Sequence, residues 1–169
     1  MNNTKTLIIL RHGEAKTAGI GEVDANRPLT EAGKKDAENA GLFLSKNSIK
    51  LDFALCSPAA RTRQTLEEIQ KSFPTPIPTE YHPKIYHASD HDLLALLAST
   101  PENVQNLLLI GHNPALHQLA IALAKSGDEK LIHNLYMQFQ PCSMAIFSLN
   151  NLWKNLAKFG GELKIFRVA

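Results

Sequence analysis

Three short apolar runs constrain what this chain can fold into. They are Leu7-Ile8-Ile9-Leu10, Leu51-Asp52-Phe53-Ala54-Leu55-Cys56 and Gln105-Asn106-Leu107-Leu108-Leu109-Ile110. Each is short, apolar and followed by turn-forming or polar residues, the pattern of a buried strand rather than a helix. A helical pattern then follows each run. Strands alternating with helices imply a mostly parallel sheet covered on both faces. The expected fold is therefore α/β, three layers (α/β/α) around a mostly parallel central sheet. In such sheets ligands bind at the carboxyl ends of the strands. The residues just after each run are thus the first place to look for chemistry.

The remaining elements can be read around those strands. The first strand spans 5–10 and is followed by a polar, irregular stretch over 11–29. Thr30 is a good helix N-cap, and Ala32, Ala37, Ala40, Leu42 and Leu44 support a helix to about Lys46. After the strand at 51–56, Ser57 reads as an N-cap with Pro58 at the first helical position, and that helix runs to about Ser72. The proline-rich segment 73–86 is expected to hold one short strand ending at Ile85-Tyr86. Ser89 caps a helix through Ala98, and a further helix spans Ala115 to Lys125. Two more strands are expected at 143–149 and 163–168, separated by turn residues Asn150, Asn151, Gly160 and Gly161.

Composition narrows the class. The 169 residues fit one domain, 1–169, large enough to bury a core without staples. A net charge of +2 without a Lys/Arg run argues against a nucleic-acid binder. No stretch approaches the roughly 18 apolar residues of a membrane span. Met1-Asn2-Asn3-Thr4-Lys5 is too polar for a secretory signal, so a cytoplasmic location is expected. Cys56 and Cys142 match no paired-cysteine pattern and read as reduced thiols. His82, His87 and His91 have irregular spacing that fits no standard zinc pattern, so neither metal nor cofactor is expected. The chain is expected to be a monomer.

The strand ends carry the functional argument. The first run leads into Arg11-His12-Gly13, the second into Ser57-Pro58 with Arg61 in the first helical turn, and the third into Gly111-His112-Asn113-Pro114. Arginine offers a planar fork of donors for phosphate. Histidine offers a nitrogen that is largely unprotonated near neutrality. Gly13 allows close approach of a ligand to the backbone. Taken singly, Arg11-His12 could be a capped strand end, Arg61 a solvated helix residue and His112 a core histidine. If the strands are parallel, however, two histidines, two arginines and two anion-favouring helix N-termini share one sheet edge. Other candidates read as structural. Glu14 orients the loop, Ser57 caps a helix, and Arg63 faces solvent. His117 and His133 are structural or exposed, and Cys56 lies in a strand rather than in a phosphate loop.

This combination resembles the histidine phosphatase superfamily, with its phosphoglycerate-mutase-like fold. Arg11-His12-Gly13-Glu14 is similar to that family's RHGE signature, whose histidine becomes phosphorylated. Ser57-Pro58-Ala59-Ala60-Arg61-Thr62-Arg63-Gln64-Thr65 is similar to its SPxxRxxQT element, which places the phosphate-binding arginine at Arg61. Gly111-His112-Asn113-Pro114 resembles its second-histidine motif. Within the superfamily the likeness is to the short SixA-type phosphohistidine phosphatases, on Arg27-Pro28-Leu29-Thr30 with Gly33, Ile85-Tyr86-His87-Ala88, the Ala145-Ile146-Phe147 strand and Trp153. Many superfamily members have a glutamate proton donor at the position that looks like His87, and neither Glu80 nor Asp90 clearly matches it.

The resemblance implies a metal-independent phosphatase in which His12 attacks phosphorus and forms a phosphohistidine intermediate. Arg11, Arg27, Arg61, Gly13 and His112 would bind the phosphoryl group, and His87 is the candidate donor. The implied substrate is a phosphorylated protein such as a histidine-containing phosphotransfer domain, whose imidazole leaving group needs little acid help. The alternatives are a phosphatase for a small phosphomonoester and, in a different class, a non-catalytic phosphate- or phosphopeptide-binding module.

Overall fold

The computed structural model describes residues 4–169. Met1, Asn2 and Asn3, used above in reading the amino terminus, lie outside the described residues. The strands are β1 (Lys5–Arg11), β2 (Phe53–Cys56), β3 (Thr79–Tyr81), β4 (Asn106–Gly111), β5 (Ala124–Gly127), β6 (Met144–Leu149) and β7 (Gly161–Arg167). The helices are α1 (Glu31–Lys46), α2 (Ala60–Gln70), α3 (Asp90–Ala98), α4 (Ala115–Leu123), α5 (Glu129–Met137) and the short α6 (Leu156–Phe159).

All seven strands form one sheet in the order β3-β2-β4-β1-β6-β7-β5. The block β3-β2-β4-β1 is parallel throughout, β6 runs antiparallel to both β1 and β7, and β5 pairs parallel with β7. The sheet is therefore mostly parallel, with one reversed strand. Alternation along β1 sorts the core into two layers. Leu7 and Ile9 pack with Leu93 and Leu97 of α3, Leu116 and Leu119 of α4, Leu135 of α5 and Leu156 of α6. Ile8 and Leu10 face the other way, onto Ala37 and Leu44 of α1 and Leu66 and Ile69 of α2. Each fully buried Leu or Ile side chain among these stabilises the fold by about 1.5–3 kcal/mol.

Four local readings are corrected. The helix after His112 stops at Leu123, and the chain continues into β5 and α5, neither of which the sequence reading includes. β5 (Ala-Lys-Ser-Gly) is a polar edge strand with no apolar run to signal it. α5 is announced by Asp128, whose side chain accepts from the amides of Lys130 and Leu131. In the third correction, the strand in the proline-rich segment ends at Tyr81, and Pro83–Ile85 form a 3-10 turn, because proline cannot continue a ladder. Ile85-Tyr86 is thus a turn and not a strand end. Finally, α2 begins at Ala60 with Ala59 as its N-cap residue, so Ser57 is not the cap.

At the far end of β1 from the site, Lys5 is buried but satisfied. Its Nζ donates to the carbonyls of Glu102 (2.7 Å) and Val104 (3.1 Å) and pairs with the Glu102 carboxylate.

Candidate active site

Sheet register brings the two histidines together. In the parallel β1–β4 pair, Arg11 lies opposite Gly111, so His12 and His112 leave the sheet side by side. Their ring centroids are 5.2 Å apart. His12 is buried, and its Nδ1 lies 2.7 Å from the Gly13 carbonyl. A carbonyl only accepts, so Nδ1 carries the proton of the neutral ring and Nε2 keeps its lone pair. Burial pushes the His12 pKa down to about 4, and the guanidinium groups of Arg61, Arg11 and Arg27 add to that against the opposing pull of the Gly13 carbonyl.

Gly13 is explained by packing. Its amide donates to Thr65 Oγ1 (3.0 Å), and a Cβ there would lie 2.5 Å from the Gly33 carbonyl oxygen. A Cβ on Gly33 would in turn lie 2.2 Å from the Glu14 carbonyl oxygen. The two glycines let the turn after β1 sit directly on the first turn of α1. Thr30 locks the same junction, since its hydroxyl donates to the Glu14 carboxylate (2.8 Å) and accepts from the Gly33 amide (3.0 Å). The close approach that Gly13 permits is therefore to backbone, and its amide is already engaged.

His112 Nε2 lies 2.8 Å from Ser57 Oγ, while its Nδ1 has no partner among the described residues. Burial is again the main cause that pushes its pKa down to about 3, followed by the neighbouring His12 and Arg61. Ser57, fully buried, is thus a partner of His112.

The arginines converge from three elements. Arg11 Nη1 donates to the Phe139 carbonyl (2.9 Å). Arg61, buried on the first turn of α2, donates from Nη1 to the Asp24 carbonyl (2.9 Å) and from Nη2 to Asp24 Oδ2 (3.0 Å). Arg27 Nε forms an ion pair with Asp24 Oδ1 at 2.8 Å. Arg11 Nε and Arg61 Nε are buried and have no hydrogen-bond partner among the described residues. Buried donors left unpaired cost about 1–3 kcal/mol each. Three guanidiniums thus act on His12 beside a second neutral imidazole, Asp24 ties two of them together, and unpaired donors are left for an anion.

Comparison with known proteins agrees with this geometry. Residues 7–85 match the family described as the histidine phosphatase superfamily, branch 1. Over 119 residues the chain is 31% identical to phosphohistidine phosphatase SixA of Escherichia coli, covering 69% of this chain and 73% of that protein. The chain belongs to the histidine phosphatase superfamily. Solved structures assigned as SixA agree along nearly the whole chain. The one from Agrobacterium tumefaciens has 30% identity, a TM-score of 0.83 and 98% coverage of both chains. The one from Nakamurella multipartitia has 28% identity and a TM-score of 0.85, covering 98% of this chain and 96% of that one. Membership of this superfamily makes phosphatase chemistry the activity class of the site, and the central sheet is phosphoglycerate-mutase-like.

Within this histidine phosphatase site, two residues escaped the sequence reading. Asp24 stands on a 3-10 turn in the long loop after β1 and ties Arg27 to Arg61. Tyr86 donates its hydroxyl to Asp24 Oδ2 (2.5 Å) and meets the His112 ring edge-on at 5.4 Å. The Tyr86 hydrogen bond, then the two arginines, hold the Asp24 carboxyl at about 2. Only the spacing of Asp24 three residues before Arg27 hints at an ion pair in the sequence. His87, the residue named as candidate donor, is exposed and meets the edge of the Tyr86 ring at 4.3 Å. It is Tyr86, not His87, that faces His112.

The remaining candidates fall outside. Arg63 is exposed over the Tyr81 ring. His117 Nε2 lies 2.6 Å from the Leu135 carbonyl and its ring stacks on Phe139. The thiols of Cys56 and Cys142 are buried and pushed up to about 12, which removes them as nucleophiles. Among the described residues no cluster of three or more His, Cys, Asp or Glu is placed to hold a metal, and no helix is long and apolar enough to cross a membrane.

Proposed function

We propose that this protein is a phosphohistidine phosphatase that works through a phosphohistidine intermediate on His12. One observation carries the reading. Among the described residues, a neutral imidazole with a free Nε2 stands beside buried arginine donors that have no partner of their own. Phosphoryl transfer asks mainly for positioning and for charge to meet the equatorial oxygens. Arg11, Arg61 and Arg27 supply that charge, and His112, its ring fixed by Ser57, adds a ring N–H.

In the first step the His12 Nε2 lone pair forms a bond to phosphorus as the substrate P–N bond breaks. The bonding pair leaves with the substrate imidazole. In the second step water attacks phosphorus, His12 Nε2 recovers its lone pair, and inorganic phosphate departs with one proton released. Both steps proceed without a metal ion. A protein phosphohistidine, such as that of a histidine-containing phosphotransfer domain, is the substrate class this supports. An imidazole leaves readily, which agrees with a site whose fixed carboxylate is ionised and whose His87 stands outside it.

The test is kcat/KM for a phosphohistidine peptide against a panel of phosphate monoesters, with 32P-labelled substrate and rapid acid-free quench. Preference for phosphohistidine and label on wild type but not on His12→Ala support the reading. Label retained on His12→Ala, or a monoester preferred, overturns it.

A further inference from the structure

The loop after β1 delivers an ionised carboxylate to a site built for a dianion. Electrostatically that is costly. The Asp24 carboxylate weakens the clamp by occupying Arg61 Nη2 and by pairing with the charge of Arg27. A site meant only to bind phosphate would be better without it. The placement is also elaborate: the carboxylate is fixed from three directions, by α2 through Arg61, by its own loop through Arg27, and by the turn before α3 through Tyr86. Tyr86 in turn lies against His112, and His112 against His12. The chain His12, His112, Tyr86, Asp24 therefore runs from the nucleophile to the rim.

An ionised carboxylate has about four acceptor positions. Oδ2 accepts from both Arg61 and Tyr86 and is full, whereas among the described residues Oδ1 has only the Arg27 ion pair. The Asp24 side chain is 54% exposed, and of its two oxygens Oδ1 has the fewer partners and so the capacity for a further donor. A donor at that rim belongs to the part of the substrate beyond the phosphoryl group.

We infer that Asp24 selects the leaving group: its Oδ1 accepts the ring N–H of the substrate imidazole, with the Tyr86 ring alongside, and so favours phosphohistidine over phosphate monoesters. The inference rests on the phosphohistidine reading above and deepens it. The proton balance fits. A phosphohistidine ring protonated at its distal nitrogen is cationic, and Asp24 binds that N–H. When the P–N bond breaks, the electron pair stays on the leaving nitrogen, and the ring departs as neutral imidazole with its distal proton in place. No protein group has to donate a proton. The carboxyl remains ionised through the neutral range, as this role requires. The leaving oxygen of a monoester brings no such N–H and meets a like charge at the same place.

The test compares kcat/KM for a phosphohistidine peptide and for p-nitrophenyl phosphate in wild type, Asp24→Asn and Tyr86→Phe. Losing one charge-assisted hydrogen bond should lower the phosphohistidine/p-nitrophenyl phosphate ratio about tenfold in Asp24→Asn. Tyr86→Phe, which keeps the ring and frees the carboxylate, should lower the ratio less, in the same direction. Equal losses on both substrates would show that Asp24 only props the arginines, and would overturn the inference. So would an unchanged ratio in both variants. A wild type that hydrolyses p-nitrophenyl phosphate but not phosphohistidine would instead defeat the reading on which the inference rests.

Discussion

The two strand ends and the long loop after β1 both supply the site, but they hold their groups by different physics. His12 and His112 are fixed by the register of two central strands, buried, and neutral because burial disfavours their charge. Asp24 and Arg27 sit on a half-exposed loop and are fixed chiefly by charge. Exposed ion pairs are weak and screened by salt. The histidines should therefore tolerate salt but respond to pH, whereas the loop should do the reverse.

Replacing the nucleophile breaks the comparison most severely. His12→Ala should lower kcat by a factor on the order of 10⁴ or more at any ionic strength, as removal of a nucleophile does elsewhere. Residual turnover that varied with salt would place the chemistry on the loop instead.

A second expectation concerns stability against pH. An unfolded His12 binds a proton near pH 6.5, and burial moves the folded value down to about 4. Between those values the unfolded state holds more protons, so stability is complete above about pH 6.5 and is lost as pH falls toward 4. The span corresponds to something on the order of 3 kcal/mol for this residue, with His112 acting in the same sense. Urea melts from pH 7.5 to 4.5 should show that slope, and His12→Asn should flatten it. The same neutral ring predicts that the acidic limb of kcat/KM lies below pH 6.

Gly33→Ala tests the junction that joins the two regions. Its Cβ would meet the Glu14 carbonyl oxygen at 2.2 Å. Overpacking of this kind costs about 1–3 kcal/mol, read as a lower urea midpoint with a parallel fall in activity. An unchanged midpoint would mean that the turn after β1 shifts freely on α1.

Arg27→Ala should raise KM about tenfold at low salt and less at high salt, because the lost group is a partly exposed charge. An effect that persisted in full at high salt would put Arg27 with the buried set. Thr30→Ala, which removes the α1 cap and the Glu14 contact, should cost about 1 kcal/mol of stability.

The same contrast accounts for what could be read in the sequence. His12, Arg61 and His112 follow apolar runs, and a strand's end is a local signal. The topology then brings such ends to one edge, so spacing along the chain hardly matters. Arg27 was accessible only through the likeness of Arg27-Pro28-Leu29-Thr30. Asp24 and Tyr86 had no comparable cue, since a loop and a 3-10 turn place them and neither has a period. Ser57 reads as a cap in the sequence for a related reason. A serine before proline fits an N-cap, but only the packed site shows that its hydroxyl turns to His112. β5 escaped because an edge strand of four residues needs no apolar pattern.

One oxygen from the connection between α5 and β6 also reaches the site. The Phe139 carbonyl accepts from Arg11 Nη1 (2.9 Å) and from Asn113 Nδ2 (2.8 Å), one partner beside each histidine. Nearby, the Cys142 amide donates to the His12 carbonyl (3.0 Å) and the Arg11 amide to the Ser143 carbonyl (3.1 Å). The stretch from α5 to β6 therefore works as a gauge block, setting the spacing between nucleophile and second histidine from outside the strands that carry them. Changes in that stretch can retune the gap between the two rings while leaving every reacting atom chemically as it was.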